Sequence, residues 1–591
     1  MNFHRLPRWF AAIVVLLTLA TARAEAGPGL PVGLPPPTAG AVASAAPDAT
    51  AAGIEILAAG GNAVDAAVAT ALALAVVHPT AGNLGGGGFA VARIAGVVAA
   101  LDFRETAPAA ATKSMFLDAN GALRPDSSLV GPLASGTPGS PAGYFELHRR
   151  FGRLPWARVV APALGLARKG FVVTPRLHAE LNEARDLLTR FPNTARVWLP
   201  GGAPPAQGSR MRLPQLAKLL ASYAQRGPAA LSAGSAARAM ERTVRAHGGI
   251  MTAADLRAYH PVWREPVRFS AFGWQFAAMP LPSSGGIILA QTLGILERRG
   301  WASMSPASAD RIHLLAEAWR RAFADRTLLS DPATALAGPI QLLAPAWLDA
   351  RAAAIDMEHA TPSTEVQAWH AGPQTEHPET THLSVVDSDG NAVALTTTLN
   401  GAFGCGLLVP ELGILLNNEM DDFTTAPGEA NLYGLIQGEA NEVAPGKRML
   451  SSMTPTVAWR GGEVLAVGAP GGSRIPTSTA QVVLALVVDG ADPAAAVAKP
   501  RVHHQWQPDR IEAEDGCLSP DVRLELKWRG HTIGRRSRIG EVCLAIRRED
   551  GTFGAAADPR GPGAADTSPA ALPDTPPPLP QHPGAVGTPG W

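Results

Sequence analysis

Runs of apolar residues punctuated by glycine, proline and Asx turns divide the chain into two halves of different character. Residues 51–59, Ala-Ala-Gly-Ile-Glu-Ile-Leu-Ala-Ala, read as a helix stopped by Gly60-Gly61. Asn62 is placed to cap the next helix, Ala63–Val77, which is apolar almost all round and is therefore predicted to be buried. His78-Pro79 ends it, and residues 27–50 before the pair, rich in Pro, Gly and Ala, are predicted to be extended. Residues 135–350 read as helical segments broken by Pro and Gly. Within them, 312–328 has apolar positions at helical spacing, with Arg320 and Arg321 assigned to a solvated face. Ser283-Ser284-Gly285-Gly286 enters a helix at Ile287 and reads as its cap. Residues 355–378 are polar, contain Pro and show no periodicity, the pattern of a flexible segment.

From residue 380 the chain turns strand-rich. Glu379-Thr380-Thr381-His382-Leu383-Ser384-Val385-Val386-Asp387 reads as the start of a strand, Asp389-Gly390 as a two-residue turn, and Asn391 to Leu399 as the antiparallel partner. One helix is predicted near 478–488. Residues 561–591 are Pro, Gly and Ala with almost no large apolar side chain, a composition that predicts a disordered tail.

Composition narrows the function classes. At 591 residues, 46% hydrophobic and 17% charged, the chain can bury a large core and has the length for more than one domain. A formal net charge of zero removes the electrostatic case for nucleic acid or an anionic membrane surface as partner. Arg5 and Arg8, the short apolar run 10–20 and the small-x-small steps Ala22-Arg23-Ala24 and Ala24-Glu25-Ala26 predict a secretory signal over 1–26, and hence a periplasmic or secreted protein with no stable membrane anchor. Three cysteines make no disulfide framework; Cys517 and Cys543 could pair, which leaves Cys405 as a small buried residue. No Cys/His spacing suggests a metal. His503 and His504, adjacent on a strand, would point to opposite faces.

The remaining signals are local motifs. Asn83-Leu84-Gly85-Gly86-Gly87-Gly88-Phe89 lacks the Lys and Ser/Thr of a phosphate loop, so its glycines point to close backbone approach. Arg104, in Leu101-Asp102-Phe103-Arg104-Glu105, needs a partner in an apolar setting: either a salt bridge with Asp102 or Glu105, or a carboxylate ligand. Asn417-Asn418-Glu419-Met420-Asp421-Asp422-Phe423, Ser451-Ser452-Met453 and Gly468-Ala469-Pro470-Gly471-Gly472-Ser473-Arg474 follow the hairpin in order. Together with Gly-Asn-Ala-Val-Asp-Ala-Ala at 61–67, these segments resemble the γ-glutamyltranspeptidases, members of the N-terminal-nucleophile hydrolase superfamily.

The resemblance implies a four-layer αββα sandwich built jointly by two autocleavage fragments, a large subunit 27–379 and a small subunit 380–560. Thr380 becomes an N-terminus whose hydroxyl is the nucleophile and whose α-amine, with a pKa of about 8, is the base. Thr381 competes on chemistry alone; the motif register selects Thr380. Thr398 would orient the nucleophile, and Gly471 and Gly472 would supply oxyanion N–H donors. Arg104, Ser451 and Ser452 would hold the substrate's α-carboxylate, and Asn400, Glu419 and Asp422 its ammonium. Tyr433, in the segment 427–438, would belong to a lid. No cofactor is implied. The expected activity is γ-glutamyl transfer to water, amino acids or peptides, with glutathione among the donors. Two alternatives compete: a glutaryl or cephalosporin acylase of the same fold, and an uncut periplasmic protein that binds γ-glutamyl peptides.

Overall fold

The predicted hairpin forms, as strands Thr381–Asp387 and Ala392–Thr398, and lies in the middle of a seven-stranded sheet. The computed structural model describes residues 38–366, 380–425 and 439–568. In that sheet the order is Ala564–Ser568, Gly40–Ser44, Thr381–Asp387, Ala392–Thr398, Gly87–Ile94, Val97–Asp102, Val262–Arg264, antiparallel throughout. A second antiparallel sheet of six strands packs against it, in the order Phe553–Ala557, Cys543–Arg547, Glu463–Gly468, Thr456–Arg460, Trp274–Ala278, Val267–Ala271. Helices Pro47–Ala58 and Ala63–Val77 cover the outer face of the first sheet, and Gly285–Arg298 and Arg474–Val487 cover the second. The layering is helix, sheet, sheet, helix, as expected.

Period-two alternation explains the two cores. Leu383 and Val385 face the helix layer, while Val386 faces the other sheet. His382 and Ser384 also point between the sheets. Ser384 Oγ donates to the carbonyl of Cys543 at 3.1 Å, so His382 Nε2 donates to Ser384 and Nδ1 accepts from Thr396 Oγ1 at 2.8 Å. Burial pushes the His382 pKa down to about 3, which keeps the ring neutral. The Gly85–Gly88 run lets this strand pass close to its neighbours: a Cβ at Gly86 would strike the carbonyl of Thr398, and one at Gly88 that of Thr396. Asn62 caps Ala63–Val77 as predicted, with a reciprocal bond from its own N–H to Asp65.

Several expectations are corrected. The first helix begins at Pro47 rather than 51, since proline is pre-set for the first helical turn; residues 40–44 are extended as predicted and form a strand. The helix carrying Arg320 and Arg321 is Ala309–Arg326, and both arginines are buried, paired to Glu317. Residues 356–363 and 504–509 form a further layer over that face, which helical periodicity alone cannot reveal. Residues 355–366 are anchored by buried Ile355, Ser363 and Val366, with Ser363 bonded to Trp506; 367–379 lie outside the described residues. Ser284 does not cap its helix; its hydroxyl turns to the carbonyl of Ser451 instead. The tail assignment from 561 is too early, because Ala564–Ser568 is the edge strand beside Gly40–Ser44; its composition is poor in apolar residues but its backbone has a partner. Cys405, Cys517 and Cys543 are all free thiols, so the pairing of Cys517 with Cys543 is not made. Cys405 is buried as predicted, its thiol pushed up to about 12. The predicted signal over 1–26 and the tail beyond 568 lie outside the described residues.

Candidate active site

Thr397 pairs with Thr381 across the hairpin, so one further step along the same register sets Thr398 opposite Thr380. Both threonines line one cavity. Arg104, Asn400, Glu419, Asp422, Ser451, Ser452 and Gly472 line it too, although they come from segments far apart in sequence. Gly471 lines a second cavity that also reaches Thr380. Thr381, by contrast, points away with its hydroxyl buried, as strand alternation requires. Tyr433 lies outside the described residues.

Arg104 is the electrostatic centre, 1% exposed. Its Nη1 lies 2.5 Å from Glu419 Oε2, and its Nη2 2.5 Å from Asp422 Oδ2. Glu105 stands further off, at 3.8 Å. Asp102, the other partner considered, instead takes Arg448 and Arg264, each at 2.7 Å. Glu419 and Asp422 reach the same guanidinium because they open and close a single 3₁₀ turn, Glu419–Asp422, in which residues three apart lie on one face. Asp421 falls on another face and accepts from Ser128 Oγ at 2.7 Å, which separates it from Asp422 as the sequence suggested. Burial raises the pKa of Glu105 to about 7 and that of Glu419 well above the carboxylate range, against the opposing pull of Arg104. Arg104 itself is raised, since the attraction of Glu419 and Asp422 outweighs the cost of its burial.

Neutral donors surround this cluster. Thr398 Oγ1 accepts from the Asn400 amide at 2.7 Å, and Asn400 holds a left-handed φ of 75°, a conformation Asn tolerates. Its side chain donates to the carbonyl of Asn418 at 3.0 Å. Ser451 Oγ accepts from the amide of Met453 at 3.1 Å, while Ser452 Oγ is buried with no hydrogen-bond partner among the described residues. Gly471 and Gly472 have φ of 128° and 57°, which favours glycine, and they lead into the helix Arg474–Val487. Neither amide donates a hydrogen bond among the described residues. Two N–H groups at the positive end of a 14-residue helix, beside a hydroxyl, can stabilise an oxyanion.

Three lining residues escaped the sequence reading: Arg326, Met453 and Ile475. Met453 and Ile475 adjoin recognised motifs and supply apolar wall. Arg326 ends a helix more than fifty residues before the hairpin, and no local pattern links it to the site.

The fold and the placement of Thr380 define an N-terminal-nucleophile hydrolase. The cephalosporin acylase of Bacillus halodurans is a structural neighbour at a TM-score of 0.78 and 27% identity, covering 92% of this chain and 98% of that one. The γ-glutamyltranspeptidase profile matches residues 49–568, and the chain belongs to that family. It is 44% identical over 527 residues to the glutathione hydrolase proenzyme of Escherichia coli (strain K12), covering 88% of this chain and 90% of the relative. It is 38% identical over 535 residues to the acylase ACY 1 proenzyme of Pseudomonas sp. (strain SE83), covering 89% and 92%.

Proposed function

We propose that this chain is a γ-glutamyltransferase and glutathione hydrolase that matures by cutting itself before Thr380. The Thr380 hydroxyl attacks the carbonyl carbon of Glu379. The peptide C–N bond breaks, the nitrogen gains a proton to become the α-amine of Thr380, and an ester links residue 379 to Oγ1. Water opens that ester, leaving a carboxylate on 379 and a free hydroxyl on Thr380. The two fragments stay together as a heterodimer, because each supplies strands to both sheets.

In turnover the freed α-amine takes the proton of Oγ1 as the oxygen attacks the substrate's γ-carbonyl carbon. The amides of Gly471 and Gly472 hold the oxyanion, and Thr398 orients the nucleophile. Collapse expels the amine leaving group, which receives the proton, and leaves a γ-glutamyl ester on Thr380. Water or an acceptor amine repeats the attack and restores the threonine. Arg104 with Ser451 and Ser452 takes the α-carboxylate; Asn400, Glu419 and Asp422 take the ammonium. The predicted signal sequence favours action in the periplasm or outside the cell.

The observation that carries this reading is the convergence of Arg104, Glu419, Asp422 and the Ser451–Ser452 pair on the cavity that holds Thr380, in a chain so similar to a glutathione hydrolase proenzyme. The test is a denaturing gel with N-terminal sequencing of the smaller band. Wild type should give a fragment beginning Thr-Thr-His-Leu-Ser, and Thr380→Ala a single uncut chain. Normal cutting in Thr380→Ala would sink the assignment.

A second reading, glutaryl or cephalosporin acylase, is favoured by the acylases among the relatives and structural neighbours. The two acids on Arg104 argue against it, since a glutaryl group brings no ammonium for them. Turnover of glutaryl but not γ-glutamyl anilide would decide for the acylase.

A further inference from the structure

Arg326 is the last residue of the helix Ala309–Arg326, 3% exposed, in the wall of the cavity that holds Thr380. A guanidinium has five N–H donors. Among the described residues Arg326 makes one side-chain hydrogen bond, from Nε to Ser284 Oγ at 3.1 Å. The acid that acts on it electrostatically is Asp422, which Arg104 already holds at 2.5 Å. Arg320 and Arg321, on the same helix, each have Glu317 as a direct partner. A buried cation without a close counter-charge is costly to the fold. Its retention beside a ligand cavity calls for a reason.

Ser284 supplies half of it. Its hydroxyl accepts from Arg326 and donates to the carbonyl of Ser451 at 2.8 Å, and its amide donates to the same carbonyl at 2.8 Å. The amide of Ser451 returns a bond to Pro282 at 2.8 Å. Arg326 therefore holds the loop that holds Ser451, and Ser452 follows with its hydroxyl buried and without a hydrogen-bond partner among the described residues. Charge supplies the other half. Arg104 faces Glu419, Asp422 and, at 3.8 Å, Glu105. A zwitterionic ligand adds no net charge, so its carboxylate would meet a cation already committed to two acids.

We propose that Arg326 is the second guanidinium of this pocket, holding Ser451 and Ser452 in place through Ser284 and presenting its remaining N–H groups to the α-carboxylate of the substrate. The inference rests on the γ-glutamyl reading of the site. Burial lowers the Arg326 pKa to about 10, which still leaves it charged at neutral pH.

The test compares processed wild type with Arg326→Met, Arg326→Lys and Ser284→Ala on three p-nitroanilides: γ-glutamyl, glutaryl (no α-amine) and γ-aminobutyryl (no α-carboxylate). Charge-assisted hydrogen bonds of this type are worth roughly 10- to 100-fold. Arg326→Met should lower kcat/KM for the two substrates that carry the carboxylate by about that factor and leave the γ-aminobutyryl compound within about twofold. Arg326→Lys, which keeps the charge and loses the planar fork, should recover part of the loss. Ser284→Ala should give a smaller loss with the same selectivity. Equal losses on all three substrates, or none, in Arg326→Lys and Ser284→Ala would overturn the inference even if Arg326→Met failed to fold. Calorimetric titration with L-glutamate separates this inference from the γ-glutamyl reading. A wild type that binds glutamate, binds it more weakly in Arg326→Lys and turns over no γ-glutamyl anilide would refute the activity and leave Arg326 standing.

Discussion

Replacing Arg104 by methionine removes the cation that touches both Glu419 and Asp422 while nearly keeping the length of the side chain. Both contacts are 2.5 Å, and the guanidinium and Glu419 are almost wholly buried, so solvent screens neither charge. Removing one partner of a buried pair costs about 3–5 kcal/mol, because the charge left behind has no compensation. The acids have an escape in protonation. Burial already raises Glu105 to about 7 and Glu419 well above the ordinary range with Arg104 present, and both move higher without it. Their unfolded pKa is near 4.3. A carboxyl raised in the folded state binds a proton that the unfolded chain has released, so stability falls as pH rises from that unfolded value through the folded pKa. The deficit of Arg104→Met relative to wild type is therefore expected to be about 3–5 kcal/mol at pH 8. At pH 5 Glu105 and Glu419 carry protons, and their share of the deficit falls to lost hydrogen bonding, about 1–3 kcal/mol. Urea midpoints of the two proteins at both pH values measure it. An equal deficit at pH 5 and pH 8, or a larger one at pH 5, would refute the ion cluster as the source.

Two further outcomes follow from the geometry. Thr381→Val removes a buried hydroxyl that has no hydrogen-bond partner among the described residues, so it should leave cutting at Thr380 intact and hold or raise the stability read from urea unfolding by up to about 1 kcal/mol; an uncut chain on a denaturing gel would transfer the nucleophile's role to Thr381. Gly472→Ala puts a Cβ on a residue with φ of 57° and should cost about 1–2 kcal/mol of stability. Its larger effect should be on kcat, roughly 100-fold if the amide beside Thr380 holds the oxyanion; steady-state kinetics with kcat unchanged would remove Gly472 from that role.

Local physics made the frame of this protein legible. The hairpin was readable from β-branched residues and one Asp-Gly turn, and Ala63–Val77 from its all-round apolar surface and the Asn62 cap. Neither depends on distant residues. The errors share one cause, which is that a pattern within an element cannot show what lies across from it. Arg320 and Arg321 look solvated until residues 356–363 and 504–509 cover them. Ser284 looks like a cap until Ser451 competes for its hydroxyl. The site behaves the same way. Arg104 and Asp422 are 318 positions apart, and no spacing rule pairs them; the family resemblance did. Arg326 had no such help, since a basic residue in the last turn of a helix is ordinary dipole chemistry.

The ion cluster also bears on how the pocket selects its ligand. Glu419 and Asp422 already have a partner in Arg104, so in the proposed binding mode a substrate carboxylate competes with them for the guanidinium. When it takes those contacts, the two acids lose their counter-charge in a site with little access to water. A γ-glutamyl group repays that loss at once, because its α-ammonium arrives within one bond of the α-carbon that bears the carboxylate. A glutaryl group cannot, and it leaves buried acids unpaired or forces them to take protons. Desolvated acceptors left without a donor cost about 1–3 kcal/mol each, more when charged. Discrimination between the two ligands then comes from the penalty on the wrong one rather than from extra contacts to the right one. It should weaken below the pH at which Glu419 takes up a proton, where the glutaryl compound strands one charge fewer.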